Sequence, residues 1–110
     1  MATTYKVLGQ AAPSDTNNTT LYTVPSSTSA VASTIAIANV TSSAATCRIF
    51  VRIAGAAAGV GNALLYDASI PANSTTSLTL GVTLATTDVI SVRTGTSNAL
   101  TFTAFGSEIS

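Results

Sequence analysis

A chain of 110 residues has room for one domain with a real core but not for two, and only 7% of this chain is charged, against about 25% in ordinary globular domains. Four Lys/Arg balance four Asp/Glu and there is no His. This excludes a basic field for nucleic acid, a cationic patch for an anionic membrane and any nucleophilic site that depends on an imidazole.

Residues 3–10 (TTYKVLGQ) carry a weak strand pattern that stops near Gly9. AAPSDTNNTT reads as a loop, because Pro, Asp and Asn favour turns. LYTV, residues 21–24, is a short strand closed by Pro25, and residues 26–29 are a Ser/Thr turn. From Val31 the chain alternates, with Val31, Ser33, Ile35 and Ile37 on one face and Ala32, Thr34, Ala36 and Ala38 on the other. β-Branched residues at a period of two predict a strand here, not a helix. After a turn over 41–45 comes the clearest strand, with Cys47, Ile49, Val51 and Ile53 inward and Arg48, Phe50 and Arg52 outward. GAAAGVG, residues 55–61, interrupts it. That stretch lacks the Lys-Ser/Thr ending of a phosphate loop and the dinucleotide-binding spacing, so it reads as a flexible connection.

NALLYDASI, residues 62–70, is a further strand ended by Pro71. Leu78 and Leu80 share a face of the next one, and Gly81 permits a bend or bulge. Residues 89–94 set Ile90 and Val92 opposite Val89, Ser91 and Arg93, and ALTFTAF then turns Leu100 and Phe102 inward. The predicted core of this last third is therefore Leu78, Leu80, Ile90, Val92, Leu100 and Phe102. About eight short strands without a helix predict an all-β fold, an antiparallel β-sandwich that is jelly-roll-like or immunoglobulin-like. It forms a single domain over residues 1–110, with an extended N-terminal segment over 1–20.

Chemistry is sparse. Cys47 is the one cysteine, so it forms no intrachain disulfide and reads as a small buried hydrophobe. Asp15, Asp67, Asp88 and Glu108 are scattered, and each suits a turn or a surface better than a glycosidase pair. An oxygen-ligand Ca²⁺ site on Asp15 or Asp88 is the lesser reading. No catalytic, cofactor or metal site is expected. Asn-x-Ser/Thr matches begin at Asn17, Asn18, Asn39 and Asn73. They follow from the abundance of Ser and Thr. Mean hydropathy is +0.49, yet the richest stretch, AVASTIAIANV, breaks well before the roughly 18 apolar residues of a spanning helix. MATTYKVLGQ has no apolar core of a secretory signal, so the expectation is a soluble protein made in a cytoplasm. A neutral surface promotes association.

Two features have binding potential. Arg48, Phe50 and Arg52 form an outward Arg-aromatic-Arg row, the residue types enriched at interface hot spots. The competing reading puts Phe50 beneath a loop or the N-terminal segment. Tyr5 and Tyr22 are contact residues or core caps, with capping preferred.

YKVLGQAAPS and LYTVPSSTSAV near the start, YDASIPANSTTSLTLGVTLATTDVISV in the middle and FTAFGSEIS at the end resemble a family of small accessory virion proteins of tailed bacteriophages. Relatives of that kind occur in cyanophages and other aquatic phages. The resemblance covers nearly the whole chain and carries over no active site. It implies a β-rich particle subunit, either a capsid decoration (cement) protein that stabilises the capsid by bridging capsomers, or a neck, tail or fibre component, including a host-glycan-binding adhesin. It further implies the major capsid protein or other virion proteins as partners and a homo-oligomer, a trimer first. The implied location is the virion, on the capsid surface before the tail. A cellular sugar-binding sandwich is the reading outside that family.

Overall fold

The period-two stretches form eight strands in the computed structural model, which describes residues 2–110. They are β1 (Thr3–Ala11), β2 (Thr19–Thr23), β3 (Ser29–Asn39), β4 (Ala45–Arg52), β5 (Ala63–Ile70), β6 (Thr75–Leu84), β7 (Val89–Thr94) and β8 (Leu100–Ile109). They make two four-stranded antiparallel sheets, ordered β1-β8-β3-β6 and β2-β7-β4-β5. β1 pairs with β8, β2 with β7, β3 with β6 and β4 with β5. The chain is therefore one long hairpin, tipped at β4–β5 and rolled up. Pairing of β3 with β8 and of β4 with β7 joins its rungs into sheets. This is the winding of a jelly roll, and it decides between the two sandwiches that fit the sequence.

Between the sheets lies the core. Ile35 and Ile37 of β3, Ile49 of β4, Ile90 and Val92 of β7, and Leu100 and Phe102 of β8 are all buried there. The β4–β7 register sets Cys47, Ile49 and Val51 against Thr94, Val92 and Ile90, which is the inward row expected from alternation. Cys47 is free and buried. Burial holds its thiol up at about 11, with a further push from the negative charge of Asp67, so it stays protonated and unreactive at neutral pH.

Three expectations are corrected, and two share one cause. The β1-β8-β3-β6 sheet has its register shifts in one row: between Val7 and Gly9 in β1, between Ala32 and Thr34 in β3, and at Leu80–Gly81 in β6. A bulge turns the side-chain phase of the strand that carries it. Ala30 and Ala32 consequently join Ile35 and Ile37 inside, while Val31 and Ser33, expected on the same face as those isoleucines, line a groove on the outside. At the β6 bulge Gly81 takes a φ of 72°, a conformation that favours glycine. Leu80 beside it is 53% exposed and is no core residue. Leu78 is half-buried against the core. The third correction is Ile53, expected on the inner face of a strand. β4 ends at Arg52, and Ile53 begins a 3₁₀ turn, 73% exposed.

Gly106 faces Ala32 across β3–β8. A Cβ there would run into the Val31 carbonyl, so two backbones approach where only glycine leaves room.

Candidate functional site

Each sheet has an outer face, and the two are finished differently. On the β2-β7-β4-β5 sheet, Arg48, Phe50 and Arg52 point outward as alternation predicts, opposite Arg93, Ser91 and Val89 of β7. They do not form an exposed row. Phe50 is only 3% exposed, yet it stands outside the interior cluster. Residues 53–62, which carry 3₁₀ turns at Ile53–Gly55 and Val60–Asn62, fold back against β7 and β4.

Arg52 stitches that segment down. Its Nε donates to the Ala56 carbonyl (2.6 Å), Nη2 to the Gly55 carbonyl (3.0 Å) and Nη1 to Ser91 Oγ (3.0 Å). Asp88 holds it from the other side. One carboxylate oxygen accepts the Ala54 N–H at 2.9 Å and the other accepts the Ala85 N–H, also at 2.9 Å. Phe50 therefore finds its cover within its own chain, as in the competing reading of the sequence.

Arg48 is committed elsewhere. Its Nε lies 2.8 Å from Asp67 Oδ1, its Nη2 donates to Asp67 Oδ2 at 3.2 Å, and its guanidinium sits 4.0 Å from the Tyr66 ring centroid, within cation–π range. The hydrogen bonds from Arg48 hold the Asp67 carboxyl below the ordinary carboxylate value. The guanidinium of Arg93, directly opposite Arg48, makes no hydrogen bond or ion pair among the described residues, although its charge also helps to hold the Asp67 carboxyl low. Arg48, Arg93 and Asp67 line a cavity of about 210 Å³ together with Thr16, Thr46 and Gly95.

The β1-β8-β3-β6 sheet is left bare. Tyr5 is 84% exposed, Val7 52% and Phe105 37%. With Val31, Ser33 and Ser107 they line an open, mostly apolar groove of about 670 Å³. The preferred reading of Tyr5 as a core cap is thus corrected, because the β1–β8 register sets it outside, opposite Ser107. Tyr22 is a cap. It is buried, and its hydroxyl donates to Glu108 Oε2 at 2.5 Å, while Lys6 Nζ reaches Glu108 Oε1 at 3.1 Å. Burial, then the bond to Glu108, pushes the Tyr22 hydroxyl well above its ordinary value. The Tyr22 bond, then the one from Lys6, holds Glu108 below its own. Val7 and Phe105 escaped the sequence reading, and their only signal is an outward parity that emerges once the bulges are placed.

Asp15 Oδ1 accepts the Asn17 N–H (3.0 Å) in a local turn, and both Asp88 oxygens accept backbone N–H groups. Among the described residues no group of three or more His, Cys, Asp or Glu could hold a metal ion. Asn39 is buried, with its amide bonded to the Ser43 and Ile70 carbonyls and its oxygen to Thr41. Among those residues, too, no helix is long and apolar enough to cross a membrane.

No family model matches the chain, and no curated protein matches it. Among solved structures, a chain of the infectious bursal disease virus Gx strain is similar at 11% identity with a TM-score of 0.45. The match spans 97% of this chain and 31% of that one.

Proposed function

We propose that this chain is a structural subunit of a bacteriophage virion, and within that a capsid decoration subunit that bridges neighbouring capsomers. The observation that carries the reading is the asymmetry of the two outer faces. Residues 53–62 close one of them, while Tyr5, Val7 and Phe105 leave an apolar groove open on the other. A contiguous apolar patch on a small domain marks a surface that a partner covers. A neutral chain with so few charges opposes such permanent contact only weakly. Jelly rolls serve in viral capsids and in lectins alike, so the fold admits this role without selecting it. The resemblance of the sequence to accessory virion proteins selects it.

In this reading the partner is the major capsid protein or another virion protein, and the chain acts as a homo-oligomer, a trimer at capsid three-fold positions. It performs no reaction. A cryo-EM map of the native particle tests the placement, with density on the capsid surface as the expected result. Density only at the neck, tail or fibre would move the chain to that part of the particle. Particles lacking the chain should lose resistance to heat, chelator and osmotic shock. Undiminished resistance would sink the cementing role.

A further inference from the structure

The apolar groove is not the only cavity at the surface. On the opposite sheet, Arg48 and Arg93 stand side by side across β4–β7. Like charges directly opposite on a sheet destabilise it unless something compensates. Asp67 pairs with one of them and feels the charge of the other. It grips Arg48 through two bonds, of 2.8 and 3.2 Å. It does so from a left-handed backbone conformation, φ 56°, which is uncommon for any residue but glycine. Arg93 has no such partner among the described residues. Two arginines and one aspartate leave the cavity they line with one net positive charge.

We infer that this cavity, between Arg93, Asp67, Thr16 and Thr46, is a binding site for a monoanionic sugar of the uronic-acid class. The charge selects a monoanion. A phosphate dianion would meet the Asp67 carboxylate with only one uncompensated cation to hold it. Arg93 selects a carboxylate, since a planar guanidinium fork matches that group with two parallel bonds. The remaining wall selects a polyol. Thr16 and Thr46 present hydroxyls that donate to nothing among the described residues, and Asp67 keeps lone pairs beyond those Arg48 uses. A bare carboxylate leaves these groups idle, whereas ring hydroxyls engage them. Size agrees, because about 210 Å³ holds one pyranose ring and little more.

Tyr66 lies outside the cavity lining, with the Arg48 guanidinium 4.0 Å from its ring centroid. Gly95 lets Thr46 come close at the cavity wall, since a Cβ there would run into Thr46 Oγ1.

The inference stands apart from the virion reading, because it is measured on the purified chain. Titration with D-glucuronate, followed by amide chemical shifts, should move resonances of Thr46, Asp67 and Arg93 and leave the Tyr5–Phe105 groove unmoved. Glucose and acetate, each holding half of the chemistry, should bind roughly tenfold to a hundredfold more weakly. Arg93→Ala should abolish binding with an unchanged thermal melt. Arg93→Lys, which keeps the charge and loses the fork, should weaken it about tenfold. Acetate or a short glutamate peptide binding as tightly as glucuronate would overturn the sugar assignment in favour of a peptide carboxylate. No shifts at the cavity, or shifts that survive Arg93→Ala, would overturn the site itself.

Discussion

Tyr22 shows how one polar atom is made safe at the edge of an apolar core. Its ring is buried in the interior cluster, and its hydroxyl finds a carboxylate acceptor in Glu108. The linkage runs in both directions of pH. Glu108 has its carboxyl held below the ordinary value of 4.5, so its contribution is complete above that value and is lost as pH falls through the lower folded one. Tyr22 has its hydroxyl held above the ordinary 10.0, so its contribution is complete below pH 10 and fades as pH rises beyond it. Tyr22→Phe should cost about 1–2 kcal/mol at pH 7, the range for a hydrogen bond to a charged group on a half-open site. In denaturant titrations the penalty should shrink as pH is taken from 7 down through the lowered folded value of Glu108. An equal penalty above and below that value would show that the charge of Glu108 is irrelevant to the bond.

At the scale of elements, the 53–62 segment illustrates a loop that works as a lid for a side chain of its own sheet. Ala54 takes a φ of 52° and Gly55 one of 75°, so the turn reverses sharply after β4. Asp88 then accepts the Ala54 N–H across the gap from the β6–β7 turn. Asp88→Ala would leave the Ala54 and Ala85 N–H groups without acceptors, at a cost of about 1–3 kcal/mol for each that stays buried. The expected outcome is faster amide exchange over residues 53–62 and new binding of a hydrophobic dye as Phe50 is uncovered. Exchange confined to the β6–β7 turn, with residues 53–62 still protected, would show that Arg52 alone suffices to hold the segment.

For the whole molecule, of extents 45 × 26 × 21 Å, the rolled hairpin sets two sheets back to back, so any residue pointing away from the core lands on one of two outer faces. The open face makes a prediction of its own. Val7 is 52% exposed and pairs with Phe105 on the groove floor. Val7→Lys should alter stability by no more than about 0.5 kcal/mol, as for a surface change away from the core. It should nevertheless abolish attachment to depleted particles, followed by co-sedimentation. A variant that attaches as well as the unaltered chain would remove the groove from the assembly interface.

Strand positions were legible in the residues themselves, because period-two alternation is a local property. Ile90, Val92, Leu100 and Phe102 read as core and are core, and Ile35 and Ile37, which read as sharing one face, both lie inside. Turn chemistry likewise marked the loop between β1 and β2 and the one before Ala45, although β1 runs two residues beyond Gly9, to Ala11. What local pattern could not carry was phase after a bulge. Val31 and Ser33 turned out and Leu80 lost its place inside, because a bulge depends on the register of the neighbouring strand. Nor could it carry partnership at a distance. Arg48 meets Arg93 only because β4 lies beside β7, and Asp67 grips Arg48 only because β5 lies on β4's other side. Composition and period-two alternation together determined that this protein is a neutral, all-β domain. Only the rolled-up pairing decided which outer face is sealed, which is bare, and where an unpaired arginine waits, since each depends on strands remote in the chain coming into register.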